Sequence, residues 1–140
     1  MSEIFQSENL ADAAAAIQRG ELVAFPTETV YGLGADATNP DAVKKVYQAK
    51  GRPSDNPLIV HVTGPAQVAE FAEIDAQSKQ LMDTFWPGPL TIILPIKPHA
   101  LDPVVTGGLT TAAFRNPDTP LTLKLIEQAG VPLVGPSANT

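Results

Sequence analysis

Apolar residues along this chain recur at two spacings: stripes three to four residues apart, and short unbroken runs. The first spacing predicts helices and the second predicts buried strands. Leu10, Ala13, Ala14 and Ile17 form a stripe behind Asn9, a helix cap, and Gly20 stops that helix near Arg19. Residues 22–25 then read as a short buried strand closed by Pro26. Residues 27–38 have no helical period and are rich in Gly and Thr, so a loop or broken strand is expected there. Asn39 as cap, Pro40 at the first helical position, Asp41 at the positive end and the Val43, Val46 stripe mark a second helix, with Lys50 at its carboxyl end before Gly51. Further along, residues 58–62 and 90–96 read as strands, and about 65–71 and 77–85 as helices. After a Pro- and Gly-rich connection, 111–114 reads as a strand, 120–129 as a helix stopped by Gly130, and 132–134 as the start of a last strand.

Strands alternating with helices indicate an α/β fold, and the direct strand-to-strand link across residues 103–110 adds antiparallel pairing, so a mixed sheet is expected. With 140 residues, 44% of them hydrophobic, the chain can bury one ordinary core, so residues 1–140 are taken as one domain. A charged fraction of 17% beside 44% hydrophobic residues favours a folded globule over a disordered chain. There is no cysteine, hence no disulfide framework or thiolate metal site, and a cytoplasmic location is expected. The first residues lack the pattern of a signal peptide, and no apolar run approaches the roughly 20 residues that span a bilayer. The net charge of −6 argues against general attraction to phosphate backbones, so any nucleic-acid or nucleotide contact must be local. Lys44, Lys45, Lys50 and Arg52 are four of only nine basic residues and fall within nine positions.

Several short constellations can carry chemistry. In Pro26-Thr27-Glu28-Thr29-Val30-Tyr31-Gly32-Leu33-Gly34, hydroxyls and glycines follow a buried strand, so backbone N–H groups and small donors can approach a ligand; an ordinary turn explains the same residues. A dinucleotide reading of residues 32–37 fails on its distance from strand and helix, and no P-loop occurs. Lys50 and Arg52, followed by Asn56, pair a compact cation with a planar fork, which suits polyphosphate oxygens. The helix dipole alone accounts for Lys50 but not for Arg52 or Asn56, which lie beyond the helix. His61 is the one polar residue in its strand; it either faces a substrate or is a satisfied core histidine. Arg115 ends a run of mostly small residues and is placed to grip a carboxylate, with a surface ion pair as the plain alternative. Ser137 and Asn139 follow the last strand, where α/β sheets tend to bind ligands, although a turn explains them as well. Two histidines without matching carboxylate spacing do not make a zinc site. Trp86-Pro87-Gly88-Pro89-Leu90-Thr91 reads as structural, a packed aromatic before a stiff approach to the next strand. With no nucleophilic cysteine, serine elbow or acid–base carboxylate pair, catalysis would rest on positioning and charge neutralisation.

Taken together, Phe25-Pro26-Thr27-Glu28-Thr29-Val30-Tyr31-Gly32-Leu33-Gly34, Lys50-Gly51-Arg52-Pro53 with Asn56-Pro57-Leu58, Trp86-Pro87-Gly88-Pro89-Leu90-Thr91 and Pro136-Ser137-Ala138-Asn139 resemble the YrdC family, the L-threonylcarbamoyladenylate synthases, from about Ser7 to Thr140. The family's K-x-R and S-x-N signature falls on Lys50, Arg52, Ser137 and Asn139. The resemblance implies a mixed, twisted sheet with flanking helices around a concave, positively charged cavity. It also implies a nucleotidyl transfer in which carboxylated L-threonine, made with bicarbonate, attacks the α-phosphate of ATP, with Mg2+ accompanying the nucleotide. Carried over by position, Thr29, His61 and Arg115 would contact threonine. Arg52, Asn56, Thr111, Gly135, Ser137 and Asn139 would hold ATP, with Lys50 on the phosphates and Lys50 and Arg52 as the catalytic cations. Downstream partners would be tRNA-modification proteins. Family members continue beyond S-A-N, so the chain is expected to lack a C-terminal portion of the domain. Two other readings stay open: a double-stranded RNA or tRNA-binding module, which the net charge disfavours, and a domain that handles carbamoyl adenylate without threonine.

Overall fold

The computed structural model describes residues 3–4, 10–26, 31–50 and 58–135. Within them, thirteen elements follow in the order β1 (Glu3–Ile4), α1 (Leu10–Gln18), β2 (Val23–Pro26), β3 (Tyr31–Asp36), α2 (Pro40–Lys50), β4 (Ile59–His61), α3 (Pro65–Val68), α4 (Ala76–Phe85), β5 (Thr91–Pro95), α5 (Pro103–Thr106), β6 (Thr111–Arg115), α6 (Pro120–Ala129) and β7 (Leu133–Val134). The strands form one mixed sheet in the order β1-β2-β3-β7-β4-β6-β5. β1 is parallel to β2 and β4 to β6, while the remaining pairs are antiparallel.

The local chemistry explains most of these boundaries. Asn39 Oδ1 accepts from the N–H groups of Asp41 at 3.1 Å and Ala42 at 3.2 Å, which caps α2 as its sequence foretells. Ala42, Val43, Val46 and Tyr47 form its buried stripe. Gly20 ends the turn after α1 at φ 84, a left-handed geometry that suits glycine, and Lys45 Nζ donates to its carbonyl at 3.0 Å, tying α2 to that turn. Asp75 caps α4 by accepting from Ser78 N–H at 2.6 Å, and that bond holds its carboxyl below the ordinary carboxylate range. The cap foreseen at Asn9 lies outside the described residues.

Three elements differ from the pattern-based expectation. Residues 31–36, within the segment read as a loop or broken strand, form a full strand paired with β2 from Val23↔Gly34 to Pro26↔Tyr31. Gly32 and Gly34 mask its alternation, and the ladder supplies the hydrogen bonds that propensity does not promise. Residues 103–106, inside the connection read as irregular, form the helical turn α5, with Asp102 accepting from Val104 N–H at 2.9 Å and Pro103 at its start. β1 is only two residues long and carries no periodic signal.

Helices cover the sheet unequally. One core cluster joins Val43 and Val46 of α2, Val104 and Val105 of α5, Val60, Ile92, Leu94, Phe114 and Val134. A second joins Ala13 and Ile17 of α1, Leu125, Ile126 and Ala129 of α6, Val23 and Leu133. Leu133 and Val134 are adjacent and fully buried yet belong to different clusters, as alternation across a strand requires, so the two clusters occupy opposite faces. On the α1/α6 face, Ile59, Ala113 and Ile93 belong to neither cluster, and Ile93 is 68% exposed. That face is open along β5 and half-covered along β6, while on β4 His61 is buried.

Candidate functional site

β4 and β6 lie side by side and parallel, in the register Ile59↔Ala113, Val60↔Phe114, His61↔Arg115. Each strand therefore ends on one of the three foreseen threonine-contacting side chains, at the same level, about 4.8 Å apart across the sheet. Val60 and Phe114 enter the α2-side core, so alternation turns His61 and Arg115 to the opposite face. The α2-side packing thus fixes which way the imidazole and guanidinium face.

β7 completes this end. It runs antiparallel to β4, with Leu133 opposite His61 and Val134 opposite Val60, and Gly135 N–H reaches Ile59 O at 3.4 Å. The His61 ring, only 2% exposed, places Nε2 3.2 Å from Gly135 O. A carbonyl oxygen can only accept, so this contact favours the tautomer with its proton on Nε2. His61 is thereby partnered within the fold, as a structural histidine would be, while its strand position puts it beside Arg115.

The structure brings His61 into register with Arg115 and into contact with the Gly135 carbonyl, and sets Thr111 apart. Thr111 opens β6, four residues before Arg115 on the same face, which at about 3.3 Å per residue separates them by about 13 Å. Leu58, whose N–H donates to Val105 O at 3.0 Å, lies at that same end of the strand pair. Thr29, Arg52, Asn56, Ser137 and Asn139 lie outside the described residues, and Lys50 is described only as the final residue of α2. Among the described residues no group of three or more His, Asp or Glu side chains gathers as a metal site.

A further polar residue stands here that the sequence pattern does not single out. Asn116, next after Arg115, is 3% exposed, and its Oδ1 meets no hydrogen-bond donor among the described residues. With Thr63, Asp83, Trp86 and Leu123 it lines an open cleft of about 350 Å³ beyond the ends of β4 and β6. The signal available in the sequence is slight: an asparagine wedged between a strand-ending arginine and Pro117.

The carboxyl ends of parallel strands are where α/β proteins commonly receive small ligands, and by its fold the chain is an α/β domain with a mixed sheet. The chain belongs to the Sua5/YciO/YrdC family, whose model, described as "Telomere recombination", matches residues 15–140. Over 131 residues it is 59% identical to threonylcarbamoyl-AMP synthase of Bacillus subtilis, a match covering 93% of this chain and 38% of that protein. The synthase of Photobacterium profundum is 38% identical over 135 residues, covering 94% of this chain and 72% of the relative. The crystal structure of Pyrococcus abyssi Sua5 complexed with L-threonine matches with a TM-score of 0.91 at 46% identity, covering 99% of this chain and 42% of that one. The chain thus spans about two fifths of the length of the Bacillus and Pyrococcus relatives. The expected family and the mixed α/β fold both stand.

Proposed function

We propose that this chain carries the substrate-binding sheet of a threonylcarbamoyl-AMP synthase, which joins L-threonine, bicarbonate and ATP and releases pyrophosphate. The observation that carries the reading is the register pair His61↔Arg115 at the carboxyl ends of parallel β4 and β6, beside the exposed β5 face. Relatives named for this activity and a neighbour complexed with L-threonine support it. Arg115 pairs in two-pronged fashion with the threonine carboxylate, a geometry that a planar guanidinium matches. His61 and Thr29 complete the amino-acid subsite. ATP lies toward the Thr111 end, held by Arg52, Asn56, Thr111, Gly135, Ser137 and Asn139. The span of about 13 Å from Arg115 to Thr111 suits an amino acid and a nucleotide laid end to end along β6.

In the reaction, the threonine amine and bicarbonate condense with loss of water to a carbamate, whose oxygen attacks the α-phosphorus while the bond to the departing pyrophosphate breaks. Negative charge accumulates on the phosphates, and Lys50 and Arg52 offset it, so catalysis is positioning and charge stabilisation without a nucleophilic side chain. Mg2+ enters as part of the ATP complex. The product passes, in the cytoplasm, to proteins that transfer the threonylcarbamoyl group to tRNA adenosine (threonylcarbamoyladenosine, t6A). Net charge −6 leaves double-stranded RNA binding without support.

The test is incubation with ATP, Mg2+, bicarbonate and amino acid, followed by mass spectrometry. The expected result is threonylcarbamoyl-AMP that requires L-threonine and is not replaced by a serine adduct. ATP turnover indifferent to threonine would contradict the reading and favour handling of carbamoyl adenylate.

A further inference from the structure

The run from Trp86 to Thr91 has no part in the reaction as described, yet it is bonded to the site. We propose that Gly88 is a positioning residue for Arg115, holding the end of β6 so that the guanidinium meets a carboxylate squarely. This rests on the assignment of the threonine carboxylate to Arg115.

Arg115 is the last residue of β6, and the ladder with β5 ends at its pair with Thr91. On the inner side, Val62 N–H donates to Arg115 O at 2.9 Å. On the outer side, Gly88 N–H donates to the next carbonyl, Asn116 O, at 2.8 Å. Two successive carbonyls are thus held from opposite sides, and the backbone at Arg115 cannot swivel without breaking one of these bonds. Gly88 reaches Asn116 because its loop folds back over the end of α4. A Cβ added at Gly88 would lie 2.6 Å from Phe85 O, a main-chain atom with no side-chain freedom to move aside. The loop is also closed on itself: Trp86 Nε1–H donates to Leu90 O at 2.8 Å, and Trp86 N–H to Met82 O at 2.9 Å. A shift forced at Gly88 therefore passes to its partner at Asn116 rather than dissipating within the loop. Two-pronged guanidinium–carboxylate pairing tolerates little angular error.

The experiment is calorimetric titration of wild type, Gly88→Ala and Trp86→Phe with L-threonine, L-threoninol and ATP, each variant checked for folding by thermal melting. Threoninol lacks the carboxylate and reports binding that does not use Arg115. Because bidentate guanidinium–carboxylate pairing depends on geometry, Gly88→Ala is expected to weaken L-threonine about tenfold or more and to leave ATP and threoninol within about twofold. Trp86→Phe removes the bond that closes the loop and part of the ring's packing; it is expected to shift threonine the same way by less, and it decides the matter should Gly88→Ala fail to fold. Unchanged threonine affinity in a folded variant overturns the proposal, as does a parallel loss for all three ligands. A wild-type chain that binds no threonine overturns the functional reading itself, and this role with it.

Discussion

The two faces of the β4-β6-β5 sheet are built from the same strands and obey opposite rules. On the α2 side, Val60, Phe114, Ile92 and Leu94 are buried in one continuous core. On the other side, the alternate positions of those strands carry Ile59 and His61, Thr111, Ala113 and Arg115, and Thr91, Ile93 and Pro95. Ile93 lies bare on this face while its strand neighbours Ile92 and Leu94 are covered. One face is occupied by packing, and the other keeps polar groups at fixed heights above an apolar floor. The difference shows how period-two alternation divides these strands between a packed face and one that carries polar side chains.

That separation can be challenged at several points. The largest effect is expected at Phe114→Ala, which empties a fully buried site on the closed face and should cost about 4 kcal/mol of stability, read by denaturant unfolding. Next is Arg115→Ala, one residue on and facing the other way: it should reduce L-threonine affinity about a hundredfold, near 3 kcal/mol, while ATP binding persists in calorimetry. Equal loss of both ligands would erase the division between the two ends of β6. Ile93→Thr should change stability by less than about 0.5 kcal/mol despite replacing an isoleucine in mid-strand, because the side chain is largely in solvent already. The smallest effect belongs to Asp75 at the start of α4. Ser78 N–H depresses its carboxyl pKa in the folded state, so its contribution is present at neutral pH and is lost as pH falls through that depressed value. Asp75→Asn, a cap that does not titrate, should flatten that part of the acid limb of a melting-temperature profile.

Much of the closed face is readable from the chain alone. α2 announces itself through Asn39, Pro40 and its valine stripe, and α6 through a Pro120 start and a Gly130 stop, because caps and stops act within a few residues of themselves. β3 is obscured because two of its six residues are glycine and its stability comes from pairing with β2. α5 escapes notice because four residues are too few to show a period. The same logic applies to the site. The sequence marks His61 and Arg115 as separate candidates, each with a plain alternative. Register is a tertiary property, so only the pairing of β4 with β6 makes them neighbours and only Gly135, arriving on β7, closes the group. The contact between Gly88 and Asn116 joins residues 28 positions apart through main-chain atoms alone, which no residue type advertises.

The central claim is that the face opposite the α2-side core, at the ends of β4 and β6, receives L-threonine. Backbone and histidine side-chain NMR shifts of the labelled chain, followed during titration with L-threonine, test it most directly. Perturbations concentrated at His61, Arg115 and Gly135, with Val60, Leu94 and Phe114 little moved, are the predicted result. Saturable shifts confined to another surface, or none at millimolar threonine, would contradict it.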